Sequence, residues 1–276
     1  MPVSTRDRLL ILGGTGEALA LARQLAEDAP DLTVTTSLAG RTQDPILPPG
    51  EVRIGGFGGV DGLVAYCHAN QISVVVNATH PFAAEMSLHA LEAHRRAGIP
   101  LLRLLRPAWR RQPRDSWIKA PHAKAAAGIC RWLGKRVFLA LGARDLPLFA
   151  GIERAHFLVR LVDMPAEPLP LASYDVIAAR GPFSLAAERL LMLEHGIDLV
   201  VAKNSGGDGA FAKIEVAREL GVPVVMIERP EIALHPGCET ADTVETALDW
   251  IAQRVGHQIV FSRRTGESSA TTGDSA

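Results

Sequence analysis

Residues 9–12 form an apolar run that stops at Gly13-Gly14, and Thr15-Gly16-Glu17 then leads into helix formers with Leu21 and Leu25 on one face. An apolar strand, a glycine turn and an amphipathic helix, in that order, predict the opening of a nucleotide-binding βαβ unit. Glycines let main-chain amides approach a pyrophosphate, and the helix N-terminus offers partial positive charge to hold it. Gly13, Gly14, Thr15, Gly16 and Glu17 are therefore expected to bind a dinucleotide. Read from Gly14, the fingerprint G-x-G-x-x-G carries Leu19 at its third glycine position, and such turns also occur with no ligand.

The next strand, Leu32 to Leu38, ends at Ala39-Gly40-Arg41. An acidic residue there would bind the ribose 2′-hydroxyl of NAD, whereas Ser37, the Gly40 amide and Arg41 suit a 2′-phosphate. The expected cofactor is NADPH. A short strand and a second glycine cluster (Gly55 to Gly59) follow, then a helix that Asp61 can cap. Ile72 to Val76 is β-branched, as in a buried parallel strand, and opens into Asn77-Ala78-Thr79-His80-Pro81-Phe82. Ligands of open parallel sheets sit beyond the carboxyl ends of the strands. Thr79 and His80 are thus candidates for the nicotinamide end, and His80 is a tentative proton donor.

Around Gly134-Lys135 the pattern begins again, with strands near 137–142, 155–162, 175–179, 198–202 and 223–227 and helices between them. Two doubly wound, Rossmann-like α/β domains with a cleft between them are expected, residues 1–134 and 135–256, with a polar, disordered tail at 257–276. Strand exchange between the sheets stays open. In the second domain, Lys203-Asn204-Ser205-Gly206-Gly207 follows a buried strand and combines a cation, an amide, a hydroxyl and glycine amides, a set suited to an anion. Arg180 and Arg144 are expected on the same edge, which would give an anionic substrate three cationic loops.

With 47% apolar and 21% charged residues the chain can bury a sizeable core, and its net charge of -1 argues against general nucleic-acid or membrane-surface binding. The three cysteines lie far apart with no C-x-x-C, so reduced thiols are expected, with no metal site and no disulfide framework. No apolar run reaches the roughly 18 residues of a membrane span. The N-terminus lacks a signal-peptide core, and a cytoplasmic location is expected.

Five motifs occur in order: GGTGEA (Gly13 to Ala18), SLAGR (Ser37 to Arg41), ATHPFA (Ala78 to Ala83), RGPF (Arg180 to Phe183) and KNSGG (Lys203 to Gly207). In this the chain resembles the precorrin-6A reductase family over about residues 8–255. Where that family commonly has Asp before the alanine of ATHPFA, Asn77 stands here. The resemblance implies an NADPH-dependent oxidoreductase of cobalamin biosynthesis that reduces the macrocycle precorrin-6A to precorrin-6B. It implies a polycarboxylated tetrapyrrole as substrate and transient contact with neighbouring pathway enzymes. Two other readings stand beside it. A short-chain dehydrogenase would need Tyr-x-x-x-Lys, but Tyr66 is followed four residues later by Asn70 and Tyr174 by Ala178. A non-catalytic NADP-sensing regulator would have no use for the polar loop at 203–207.

Overall fold

The computed structural model describes residues 7–40 and 42–255, so Arg41 and the expected tail lie outside the described residues. Two six-stranded sheets of parallel strands carry helices on both faces. In the first sheet the order is β12-β5-β4-β1-β2-β3, built from β1 (Arg8–Leu12), β2 (Thr33–Leu38), β3 (Glu51–Ile54), β4 (Val74–Asn77), β5 (Leu101–Leu104) and β12 (Cys238–Ala241). The second has the order β6-β11-β10-β7-β8-β9, from β6 (Trp117–Ala120), β7 (Arg136–Ala140), β8 (His156–Leu161), β9 (Tyr174–Ala178), β10 (Leu199–Lys203) and β11 (Val224–Ile227).

Alternation along each strand sends side chains to opposite faces. Leu9 and Ile11 pack with α1 (Gly16–Asp28) and α7 (Val244–Ala252), whereas Leu10 and Leu12 pack with α2 (Val60–Ala69) and α3 (Ala84–Ala97). The second sheet is covered on one face by α4 (Ala123–Cys130) and a 3-10 helix (Ala143–Phe149), and on the other by α5 (Leu185–Glu194) and α6 (Ala212–Leu220). Helix α1 begins where the sequence dictates: the Thr15 side chain caps it by accepting the Ala18 N–H at 3.1 Å. Ala18, Leu21, Ala22 and Leu25 form its buried stripe. Each buried leucine contributes about 1.5–3 kcal/mol of apolar transfer. Helix α2 departs from expectation, since Gly59 is its N-cap and Asp61 pairs instead with Arg96 at 2.7 Å.

The expected division at residue 134 does not follow sheet membership. Strand β6 and helix α4 precede that point yet belong to the second sheet, with β6 pairing to β11 from Trp117↔Val224 to Ala120↔Ile227. Strand β12 returns to the first sheet, pairing with β5 from Cys238↔Leu101 to Ala241↔Leu104, and α7 packs behind it against α1. Each half thus receives its edge strand from the other. The chain crosses between the sheets twice, at 105–116 and 228–237. No helix among the described residues is long and apolar enough to cross a membrane.

Candidate functional site

The first sheet's carboxyl edge forms a backbone cradle. Gly14 has φ +105°, which disfavours a side chain, and a Cβ on Gly14 or Gly16 would meet nothing within 4 Å. That leaves open space above the first turn of α1, at the partially positive end of the helix. Gly13 serves a different end. Its N–H donates to Ser37 O at 2.9 Å, and a Cβ would lie 2.9 Å from Thr36 Cγ2, so it is glycine for the sake of strand packing. The Thr15 hydroxyl donates to Ala78 O at 2.8 Å, tying the cradle to the loop after β4. Gly40 has φ +67°, and a Cβ built on it would lie 3.0 Å from Ile54 Cγ2.

Beside Ser37 stands Arg53, which belongs to none of the five motifs. Arg53 is paired to Ser37 in the β2–β3 register and donates to Ser37 Oγ at 3.1 Å. It also donates to Gly55 O and Gly56 O, each at 2.6 Å, and its guanidinium lies 3.8 Å from the Phe57 ring centroid. Gly62 makes room for this platform, since a Cβ there would sit 1.7 Å from Phe57 O. No local pattern announces Arg53, because its place beside the end of β2 is set by the register between the two strands.

After β4, Asn77 is 3% exposed and organises the loop. Its Oδ1 accepts from the Thr79 hydroxyl (2.7 Å) and the Thr79 N–H (3.2 Å), and its Nδ2 donates to Ser87 Oγ at 3.1 Å. The amide accepts at one end and donates at the other; an Asp here would keep the Thr79 contacts and accept from the Ser87 hydroxyl instead. His80 Nδ1 accepts the Phe82 N–H at 3.2 Å, which in the neutral ring leaves the proton on Nε2. Thr15, Glu17, Thr79, Pro81 and Arg106 line one small recess, which brings the cradle and this loop together.

The structure revises the substrate side. Lys203 is not a free cation: its Nζ pairs with Asp145 at 2.6 Å and lies 5.2 Å from the Phe82 ring, touching the loop from the first sheet. The Asn204 amide is consumed by Trp109, accepting its N–H at 2.8 Å and donating to its carbonyl at 3.0 Å. Ser205 and Gly206 are buried, and their carbonyls accept from Arg106 Nε at 2.7 and 2.9 Å. Gly206 (φ +67°) and Gly207 (φ +70°) are obligatory: a Cβ on Gly206 would lie 2.0 Å from Pro107 O, and one on Gly207 2.7 Å from Arg106 Cδ. Arg180 donates to Asp44 O at 2.7 Å and so spans the two halves, whereas Arg144 is exposed with no partner among the described residues. Glu17, expected at the cofactor, has its carboxylate paired with Arg106 at 2.5 Å.

Two arginines that the motifs did not single out hold the 203–207 loop, one on each crossing. Arg229 donates to Asn204 O, Ser205 O and Arg106 O at 2.8–2.9 Å, and burial, then the nearby Arg106 and Arg103, pushes its pKa down to about 10. Beneath the loop, Lys213 is 5% exposed and donates to Ala210 O. Burial, then the Arg160 charge, pushes its pKa down to about 7, and Glu188 opposes this. Glu188 is itself paired with Arg160 at 2.5 Å, and Arg160 lies 3.6 Å from the Phe183 ring of the RGPF loop.

A glycine cradle at a helix N-terminus, facing a polar loop across two interlocked parallel sheets, is the architecture of the Rossmann-like α/β class. Comparison with known proteins gives the particular family. Residues 8–252 match the model of the precorrin-6x reductases CbiJ/CobK. The precorrin-6A reductase of Rhodococcus erythropolis is 48% identical over 88% of this chain and 97% of its own length. That of Rhodobacter capsulatus is 43% identical over 89% and 96%. A solved structure titled CobK precorrin-6A reductase superposes with TM-score 0.85 at 42% identity, covering 92% of this chain and 98% of that one. The chain belongs to the precorrin-6x reductase family and is a reductase of cobalamin biosynthesis.

Proposed function

We propose that this protein reduces precorrin-6A to precorrin-6B with NADPH, binding the cofactor on the first sheet and the cobalt-free macrocycle against the 203–207 loop. One observation carries the reading: the glycine turn and the 203–207 loop both sit at carboxyl edges of parallel sheets, and Arg106 reaches from Glu17 in the first turn of α1 to the Ser205 and Gly206 carbonyls. The family supports a nicotinamide cofactor, and the choice of NADPH rests on the β2–β3 edge. Guanidinium carries five N–H donors. Arg53 spends three on Ser37, Gly55 and Gly56. Its Nε–H and one Nη2–H have no partner among the described residues, and they form a fork that fits a phosphate. Arg41 and Ser37 would complete that pocket.

Bound there, the nicotinamide supplies a hydride, and the balance of the reduction needs one proton besides. Thr79, fixed by Asn77, and His80, with its proton on Nε2, line the approach to the ring. A neutral imidazole that gave up its one proton would be left as imidazolate, so His80 donates it only from the imidazolium form, releasing the Phe82 N–H; water and a carboxyl of the macrocycle are the other sources. Lys203, neutralised by Asp145, positions the Phe82 loop and offers one hydrogen bond to a side-chain carboxylate of the macrocycle. The test is anaerobic mixing of protein, NADPH and precorrin-6A, with NADH and cobalt-precorrin-6A in parallel arms. Loss of reduced-nicotinamide absorbance together with a macrocycle spectral change is expected for NADPH and the cobalt-free substrate. No turnover despite binding of both would favour the sensing regulator. A short-chain dehydrogenase is disfavoured by geometry, since Tyr66 packs on Phe57 (5.2 Å between centroids) and the Tyr174 hydroxyl accepts the Leu169 N–H at 3.0 Å.

A further inference from the structure

A continuous set of contacts runs from the proposed cofactor helix to the proposed substrate loop. Glu17 lies in the first turn of α1, and its Oε2 accepts from Arg106 Nη1 at 2.5 Å. Arg106 comes from the first crossing, 89 residues away in sequence, and its Nε donates to the carbonyls of Ser205 and Gly206. The fit is close: a Cβ on Gly207 would stand 2.7 Å from Arg106 Cδ and 3.6 Å from Glu17 Oε1. Arg229 on the second crossing donates to Ser205 O and to the Arg106 carbonyl, and so ties the main chain of Arg106 to the loop. Side-chain exposures of 17% for Arg106 and 27% for Glu17 leave the pair partly shielded from solvent.

We propose that Glu17 and Arg106 form a strut that couples the two sites, so that dinucleotide and macrocycle each tighten the binding of the other. The inference rests on the reading that the cofactor's pyrophosphate sits at the N-terminus of α1. A carboxylate in the first turn of that helix would repel the pyrophosphate unless neutralised, and Arg106 supplies the neutralising charge. A phosphate placed there is also attracted to the guanidinium, which has three N–H groups without a partner among the described residues. Cofactor binding therefore favours the Arg106 pose that pins the Ser205 and Gly206 carbonyls. The loop is then ordered before the macrocycle arrives, and linkage makes the effect reciprocal. Glu17 and Arg106 are positioning residues in this account.

The experiment titrates NADP⁺ anaerobically, without and with saturating precorrin-6A, a pair that cannot exchange hydride because both partners are oxidised. For the unaltered protein, NADP⁺ should bind at least about fivefold more tightly with the macrocycle present, within the usual range of coupling between sites. In Glu17→Gln, which keeps the shape and loses the charge, that ratio should fall to within about twofold of one. Hydrogen exchange on the ligand-free variant supplies a second readout: amides of 205–207 should exchange faster while those of β10 do not. A ratio near one in the unaltered protein, or an undiminished ratio in Glu17→Gln, would overturn the strut. Failure of NADP⁺ to bind the unaltered protein would instead overturn the cofactor reading, and the strut with it.

Discussion

Replacing Arg53 by alanine tests the cofactor edge most directly, because its two roles have different signatures. The guanidinium holds Ser37 and the carbonyls of Gly55 and Gly56, and it stacks on Phe57. Losing these contacts loosens the β2–β3 edge for any dinucleotide, and because the site is partly exposed the cost to NADH should stay below about 1 kcal/mol. The remaining fork, Nε–H and one Nη2–H, would serve only a 2′-phosphate. A charge-assisted contact of that kind is worth about 1.5–3 kcal/mol, or roughly 10- to 150-fold in affinity. Fluorescence titration of the two reduced cofactors should therefore show NADPH weakened by that factor and NADH by less than about fivefold. Arg53→Lys, which keeps charge without the fork, should fall between. Equal losses for the two cofactors would refute the argument and leave Arg53 as a loop anchor.

Three further outcomes are expected. Gly16→Val should fold, since its Cβ meets nothing within 4 Å, but lose dinucleotide binding; retained NADPH affinity in a folded variant would remove the turn from the site. Lys203→Ala breaks the Asp145 pair and the Phe82 contact, so steady-state kinetics should show a raised KM for precorrin-6A, with NADPH affinity changed by less than about threefold. The reverse pattern would place Lys203 on the cofactor. Lys213 has a folded pKa lowered to about 7, so the unfolded state holds more protons between that pH and about 10.4. Stability from this group is lowest below pH 7 and rises across that window. Urea unfolding should show Lys213→Met gaining most over the unaltered protein near about pH 6, with the difference shrinking by roughly 3–5 kcal/mol toward about pH 10. A pH-independent difference would show that the amine is not buried as a titrating group.

Local chemistry in the sequence determined much of this protein. The run 9–12, the Gly13-Gly14 turn and the 3.6-residue period of α1 are properties of neighbouring residues, as are the β-branched strands before His80 and Lys203. They declare a parallel α/β fold and the edges where its loops gather. Five short motifs in order were enough to indicate the family. The tertiary structure decided what depends on residues distant in sequence. Which sheet accepts β6 is set by pairing with β11 across more than a hundred residues, and Cys238-Glu239-Thr240-Ala241 is too polar for β12 to declare itself as a strand. Only the fold shows that Asn204 is spent on Trp109, that Lys203 is neutralised by Asp145, and that Glu17 faces Arg106. Arg53, Arg106 and Arg229 carry no local signature because an arginine's role is set by the carbonyls and carboxylates within its reach. Side-chain reach and strand pairing act through space, and a pattern read along the chain contains neither.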